Sequence, residues 1–488
     1  MRNLPLSNPA EAAEELADFL AGLNQTELSH DQRLAVVEKV GAVVEDIVVA
    51  LYEQYSVAAL PLQPKQQRNA QAAQRLLMEM AGVYKILTLD WLQRRFHLFG
   101  GNPVPLYLQR ILLTLQAAVE ISFETHEVLP KGIWADLHQT YNYALRTGQK
   151  DVMPSGSEKM QSLEQIYKAT LLMALADPYH FPQVELPWIK DVIARFSNLV
   201  SIFPAEESSK GQAGLFVVDI NTDYPPRPIA QESHAMNPRW DLLLNTTELA
   251  KHLALITNHL NNPKDLDKLG LPDAAQDPAY APMVRRLKQH WGAAAQRQSQ
   301  RRRHQDGKEV EVCFGLKTLH HLIGEASQDL MADLPGSEPG HQIVRCKTLN
   351  DSMGGLALGK NSAIGIQIRI GEAAGVRQAN GSWGIGVVRW FRVPKSGTVY
   401  FGVQFLAPGA LPVEAKRLDT GKHWPVLMLA PAPTGKPPSM LLSLPGCFAP
   451  ENQLEIRSDK GRHQLRLESR MDSTPHLEQY RFQITGAV

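Results

Sequence analysis

The hydrophobic period of this chain changes once, from three-to-four residues to two, and the two periods demand different fold classes. Ser29 and Gln32 form a capping-box signature, after which Leu34, Val37, Val40, Val44, Ile47, Val48 and Leu51 recur at helical spacing. Similar segments at about 66 to 96, 104 to 127, 132 to 147, 157 to 176 and 187 to 202 are separated by Gly100-Gly101, Pro130 with Gly132, Pro154-Ser155-Gly156 and Pro178. They predict an all-α N-terminal array or bundle over residues 1–205, with no fixed repeat period. Leu215 to Ile220, an apolar run between Gly214 and Pro225-Pro226, predicts a buried strand or extended segment. Helical sequence resumes near 245 to 260 and 280 to 296, so residues 206–295 read as a mixed, mainly helical connection.

A Gln/Arg-rich linker at 296 to 305 precedes the change of period. Beyond it Ile364, Ile366, Ile368 and Ile370 alternate with Gly365, Gln367 and Arg369, the pattern of a half-buried strand. Ile385 to Val393 and Thr398 to Leu406 predict a hairpin turning at Pro394-Lys395-Ser396-Gly397. Residues 296–410 therefore predict a β-rich domain with its linker. Residues 411–488, where Leu454-Glu455-Ile456 and Leu465-Arg466-Leu467 flank a turn at Asp459-Lys460-Gly461, predict a second small β-rich barrel-like domain or an extension of the first.

Charge restricts the classes of partner. Lys+Arg and Asp+Glu both number 50, so the whole chain carries no electrostatic footprint for nucleic acid or an anionic membrane. Any polyanion site must be local, and the cluster from residue 297 to 303 is its best candidate. Three widely spaced cysteines, Cys313, Cys346 and Cys447, exclude a disulfide framework and a four-Cys zinc site. The apolar helical stretch from Ile111 to Val119 is too short to span a bilayer, which takes about 20 residues. With no secretory pattern between Met1 and Leu16, the expected location is the cytoplasm.

The chemistry-bearing residues lie at the start of the β-rich half. Arg297 and Arg301, one helical turn apart, supply planar charged forks that can pair with phosphate oxygens, bond a guanine O6/N7 edge and stack on its face. Asn350-Asp351-Ser352-Met353-Gly354-Gly355 reads as Asn-x-Ser-x-x-Gly, a short polar turn. Arg-x-x-x-Arg followed by Asp/Asn-x-Ser-x-x-Gly resembles the PilZ domain, a small β-barrel that binds cyclic di-GMP. The resemblance covers about residues 296 to 410. It implies that Arg297 and Arg301 wrap the ligand from a flexible segment while Asn350, Ser352 and Gly355 meet a guanine from the barrel surface. Asn350 stands where the family more often has aspartate, and an amide both donates and accepts. The run Arg301-Arg302-Arg303 leaves Arg302 or Arg303 open as the second arginine if the linker threads differently.

Rival motifs are weaker. Gly354 to Asn361 approaches a Walker A loop, yet Asn361 replaces the Ser or Thr that holds magnesium. His320-His321 with Glu325 does not match a zinc motif, and no Gly-x-Ser-x-Gly is present. Arg389 reads as a surface strand arginine. The expectation is thus a non-enzymatic receptor without cofactor or metal, in which cyclic di-GMP rearranges the domains and the helical region engages a protein partner. Two alternatives are a ligand-free PilZ-like scaffold for protein–protein interaction and a basic-arm barrel that binds nucleic acid. The second would use Trp383, Trp390, Phe391, Tyr400 and Phe401 to stack bases, and the neutral chain argues against it.

Overall fold

The computed structural model describes residues 5, 7–94, 101–154, 160–205, 213–229, 236–237, 239–260, 271–292, 302–303, 307–325, 343–352, 354–361, 365–395, 397–431, 440–458 and 461–487. The helical part contains α1 (Pro9–Gln25), α2 (His30–Tyr55), α3 (Pro64–Leu92), α4 (Val104–Thr125), α5 (Ile133–Arg146), α6 (Leu163–Leu175) and α7 (Leu186–Phe196). A four-stranded antiparallel sheet follows in the order β1-β4-β2-β3, from β1 (Ser201–Pro204), β2 (Leu215–Asp219), β3 (Arg227–Pro228) and β4 (Asp241–Asn245). Then come α8 (Thr247–His259) and α9 (Tyr280–Gly292). Two compact units interleave along the sequence. One holds Met1–Pro178, Leu186–Ile256 and Leu287–Ala295, the other Tyr179–Glu185, Thr257–Arg286 and Gln296–Val488.

Local signals explain the helical unit well. The Ser29 capping box forms, with the Gln32 amide donating to Ser29 Oγ at 3.3 Å and the Ser29 amide donating to Gln32 Oε1 at 3.0 Å. The helix then buries Val37, Val40, Val44, Ile47 and Leu51. Arg33, not Leu34, fills the first buried turn, donating to the carbonyls of Leu23 and Thr26. α5 has no capping side chain of its own and borrows one. Asp223 accepts from the amides of Gly132 at 2.6 Å and Trp134 at 2.9 Å, and so ties the loop after β2 to the helix N-terminus.

The other unit is built from two barrels. The first comprises β6 (Glu309–Phe314), β7 (Val344–Ser352), β8 (Gly355–Lys360), β9 (Ala373–Arg377), β10 (Trp383–Lys395) and β11 (Thr398–Ala407), with the short β5 (Arg302–Arg303) added outside β7. The second is the closed barrel of β12 (Ala410–Arg417), β13 (His423–Leu429), β14 (Met440–Ser443), β15 (Gln453–Ser458), β16 (Gly461–Ser473) and β17 (Glu478–Ala487). Around the first ring the strands run β7-β6-β9-β10-β11-β8 and back to β7; around the second, β13-β12-β15-β16-β17-β14 and back to β13. Numbered from each barrel's first strand, both read second, first, fourth, fifth, sixth, third. The C-terminal barrel repeats the connectivity of the first.

A shared core joins the barrels. Helix α10 (Leu316–Glu325) packs Leu316 and Leu319 with Cys313, Ala373, Trp383, Ile385 and Val387 of the first barrel and Leu427, Leu442 and Leu477 of the second. A Cβ on Gly375 would lie 2.3 Å from Leu319 Cδ2, so glycine there lets the helix seat against β9. His320 Nε2 sits 3.1 Å from the Val413 carbonyl.

The expected strand around Ile364 to Ile370 does not form a ladder. Ile366, Ile368 and Ile370 are buried as the alternation predicts, but residues 366–369 have no strand partner, and Ile364 lies outside the described residues. In the closed ring β6, β8, β9, β10 and β11 each already have two neighbours, and β7 takes β5 as a third at Asn350 and Asp351. Left-handed Gly365 and Gly371 bound it, and Thr474 Oγ1 of the second barrel donates to the Gly371 carbonyl at 2.8 Å.

Candidate functional site

The Asn-x-Ser-x-x-Gly stretch is the hairpin between β7 and β8, with Ser352 opposite Gly355 in register. Val344, Cys346 and Thr348 point into the barrel, and continued alternation would send Asn350 inward too. A register shift between Thr348 and Asn350 prevents this. Leu349 is the extra residue, and Asn350 pairs with Ala357 and Ser352 with Gly355 on the outer surface. Ser352 Oγ donates to the Gly355 carbonyl at 3.3 Å, closing the turn. Gly355 has a packing reason for being glycine, since a Cβ would stand 2.3 Å from the Val403 carbonyl where β8 meets β11.

Arg297 and Arg301 lie outside the described residues. The chain that follows them is positioned by its backbone: β5 runs antiparallel to β7, Arg302 opposite Asp351 and Arg303 opposite Asn350. Gly307 then passes so close to β7 that a Cβ would meet the Thr348 carbonyl at 1.7 Å. The arginine-bearing linker therefore enters the barrel as an added strand beside the polar turn.

Across the same outer surface, Asn350, Ala357, Gly402 and Trp390 share one cross-strand row, with Ser352, Gly355 and Gln404 in the row beside it. Arg389 falls at a second register shift, between Val388 and Trp390. Its Nε donates to Gln404 Oε1 at 2.7 Å and its Nη2 to Asp472 Oδ2 at 3.0 Å, so this arginine latches the first barrel to the second. Arg392, one step beyond Trp390 on the outer surface, stacks its guanidinium 4.9 Å from the Tyr179 ring centroid.

Tyr179 belongs to a strap, Tyr179–Glu185, which the chain runs between α6 and α7 and packs with the barrel unit. Arg286 of α9 holds it, donating to both oxygens of the buried Glu185 at 2.8 and 2.7 Å and to the His180 carbonyl at 3.3 Å. Burial pushes the Glu185 carboxyl up to about 7 against the pull of Arg286. Sequence reading missed the strap because nothing local marks a helix connection that packs with a distant barrel. It named Trp390 only among strand aromatics, and it missed the repeated connectivity because the barrels share no visible repeat.

The sequence of the second barrel has no equivalent motif. Its second-to-third strand connection, residues 430–439, carries no Asn-x-Ser-x-x-Gly, and only Pro408-Gly409 separates β11 from β12, leaving no arginine tether.

Residues 1–206 match the family model described as the N-terminal domain of the cyclic-di-GMP receptor FimW. Residues 215–334 and 331–412 match the model for that receptor's middle PilZ domain. The cyclic-di-GMP receptor FimW of Pseudomonas aeruginosa is 24% identical over 513 residues, an alignment covering 88% of this chain and 80% of that protein. No solved structure matches.

Proposed function

We propose that this chain, which belongs to the family of PilZ-containing FimW-type cyclic-di-GMP receptors, binds cyclic di-GMP on the outer surface of its first barrel, at the hairpin between β7 and β8. The observation that carries the reading is the pairing of Arg302 and Arg303 with Asp351 and Asn350, which brings the arginine linker alongside the polar turn. Arg297 and Arg301, just upstream, clamp phosphates and guanines with charged, planar forks. The Asn350 amide and Ser352 hydroxyl meet a guanine edge, and Gly355 keeps the hairpin flat against β11.

In this reading the protein acts in the cytoplasm as a receptor, without catalysis and without a cofactor. Ordering of the linker on the nucleotide shifts the helical unit toward a conformation that engages a protein partner, so binding energy becomes a change of domain geometry. The ligand-free scaffold reading fits the C-terminal barrel, which keeps the connectivity and lacks the motif.

Calorimetry on the full-length protein tests the site. Wild type is expected to bind cyclic di-GMP, and Arg297→Ala and Arg301→Ala are each expected to weaken binding by about 2 kcal/mol, roughly thirtyfold. Unchanged affinity in both variants would move the clamp to Arg302 and Arg303, and absence of binding by wild type would end the receptor reading.

A further inference from the structure

Resting on the receptor reading above, we propose that Trp390 is the platform on which a guanine of the bound cyclic di-GMP stacks. Trp390, Gly402, Ala357, Asn350 and Arg303 form one unbroken register row across β10, β11, β8, β7 and β5. Neighbouring strands lie about 4.8 Å apart, so the tryptophan stands about 14 Å from the motif asparagine. Between them are only a glycine and an alanine.

The indole lies down in this row. A Cβ on Gly402 would fall 1.9 Å from Trp390 Nε1 and 2.5 Å from Cε2, so the ring rests directly on the Gly402 backbone and no side chain fits beneath it. It remains half-exposed, and the barrel does not need it for its core, because Val388, Phe391 and Val393 already fill the inner face of β10. The Val388/Trp390 register shift is what turns Trp390 outward, as the Thr348/Asn350 shift turns Asn350 outward. Two bulges on strands at opposite sides of the row thus aim a flat apolar ring and a hydrogen-bonding amide at the same stretch of surface. Bulges concentrate where a side chain must be re-aimed beside a site.

The chemistry divides between the two ends. Stacking on an aromatic face contributes about 1 to 3 kcal/mol per base and is indifferent to base identity, since every base has a π-face. Discrimination comes from the edge, where guanine and adenine differ in donors and acceptors and Asn350 can offer both. Trp390 therefore sets affinity for the purine ring, and Asn350 sets preference for guanine.

The test is calorimetry on full-length wild type, Trp390→Leu, Trp390→Phe and Asn350→Ala, titrated with cyclic di-GMP and with cyclic di-AMP. Trp390→Phe, which keeps a flat ring, is expected to bind cyclic di-GMP within about threefold of wild type. Trp390→Leu is expected to weaken it about tenfold or more while leaving the ratio between the two dinucleotides unchanged. Asn350→Ala is expected to lower that ratio. Wild-type affinity in Trp390→Leu, or a changed ratio, overturns the assignment. A second readout does not depend on the leucine variant folding: in fluorotryptophan-labelled wild type, the Trp390 fluorine resonance, assigned by its loss in Trp390→Phe, is expected to move when cyclic di-GMP is added. A stationary resonance in protein that binds the nucleotide overturns the platform alone, whereas no binding by wild type removes the receptor reading beneath it.

Discussion

Glu372, next to the Gly371 carbonyl that accepts from Thr474 of the second barrel, is 8% exposed and accepts from the Arg369 amide at 2.8 Å. Burial pushes its carboxyl up from 4.5 to about 7. Between those values the folded protein holds a proton that the unfolded chain has released. Stability from this residue therefore falls as pH rises through the window, by at most about 1.4 kcal/mol per pH unit. His476, whose ring burial and Arg369 hold down to about 4, acts in the opposite sense: its contribution is present above the ordinary value of 6.5 and is lost as pH falls toward 4. Glu372→Gln keeps the accepting oxygen and removes the titration. Its melting temperature is expected to match wild type at pH 5 and exceed it at pH 8. A difference between the two proteins that stays constant with pH would refute the assignment. None of this was legible in the sequence, where Glu372 is one carboxylate among 50 acidic residues, because its burial is supplied by tertiary packing.

At the scale of elements, the strap Tyr179–Glu185 shows how a short connection can be held more firmly than its sequence suggests. Its carboxylate is fully buried and accepts with both oxygens from Nη2 of Arg286, whose guanidinium also lies 4.6 Å from the Phe181 ring centroid. Removing Arg286 strands a buried carboxyl, already raised to about 7, that must take up a proton or stay unpaired, a loss of up to about 3 to 5 kcal/mol, while removing both is far milder. Arg286→Met is therefore expected to lower stability strongly and Arg286→Met with Glu185→Leu to recover most of it, as read by denaturant titration of the full chain. Equal losses in the single and double variants would mean that the pair contributes nothing as a pair. The hairpin of β10 and β11, by contrast, was visible beforehand. Its alternation and its Pro394 to Gly397 turn are local, and both strands appear where that pattern predicts.

Over the whole molecule, both barrels belong to one unit and share a core cluster where they meet, and that unit also includes Tyr179–Glu185 and Thr257–Arg286. A fragment beginning at Gln296 would keep both barrels and lose those two segments. It is expected to melt below the barrel unit of the full chain, a difference that hydrogen exchange at matched β10 and β11 amides can measure. Equal protection would show that the strap and α9 add nothing to barrel stability. The sequence by itself determined what depends on neighbours along the chain: the change of period, the Ser29 cap, the helix-to-barrel order, and the presence of one arginine pair and one polar turn. Only the tertiary structure decided which way Asn350, Ser352 and Trp390 face, because a one-residue bulge at Leu349 or Arg389 inverts the alternation and exists only against a partner strand. It likewise decided that the second barrel repeats the first, since strand order is set by pairings between distant segments that local spacing does not encode.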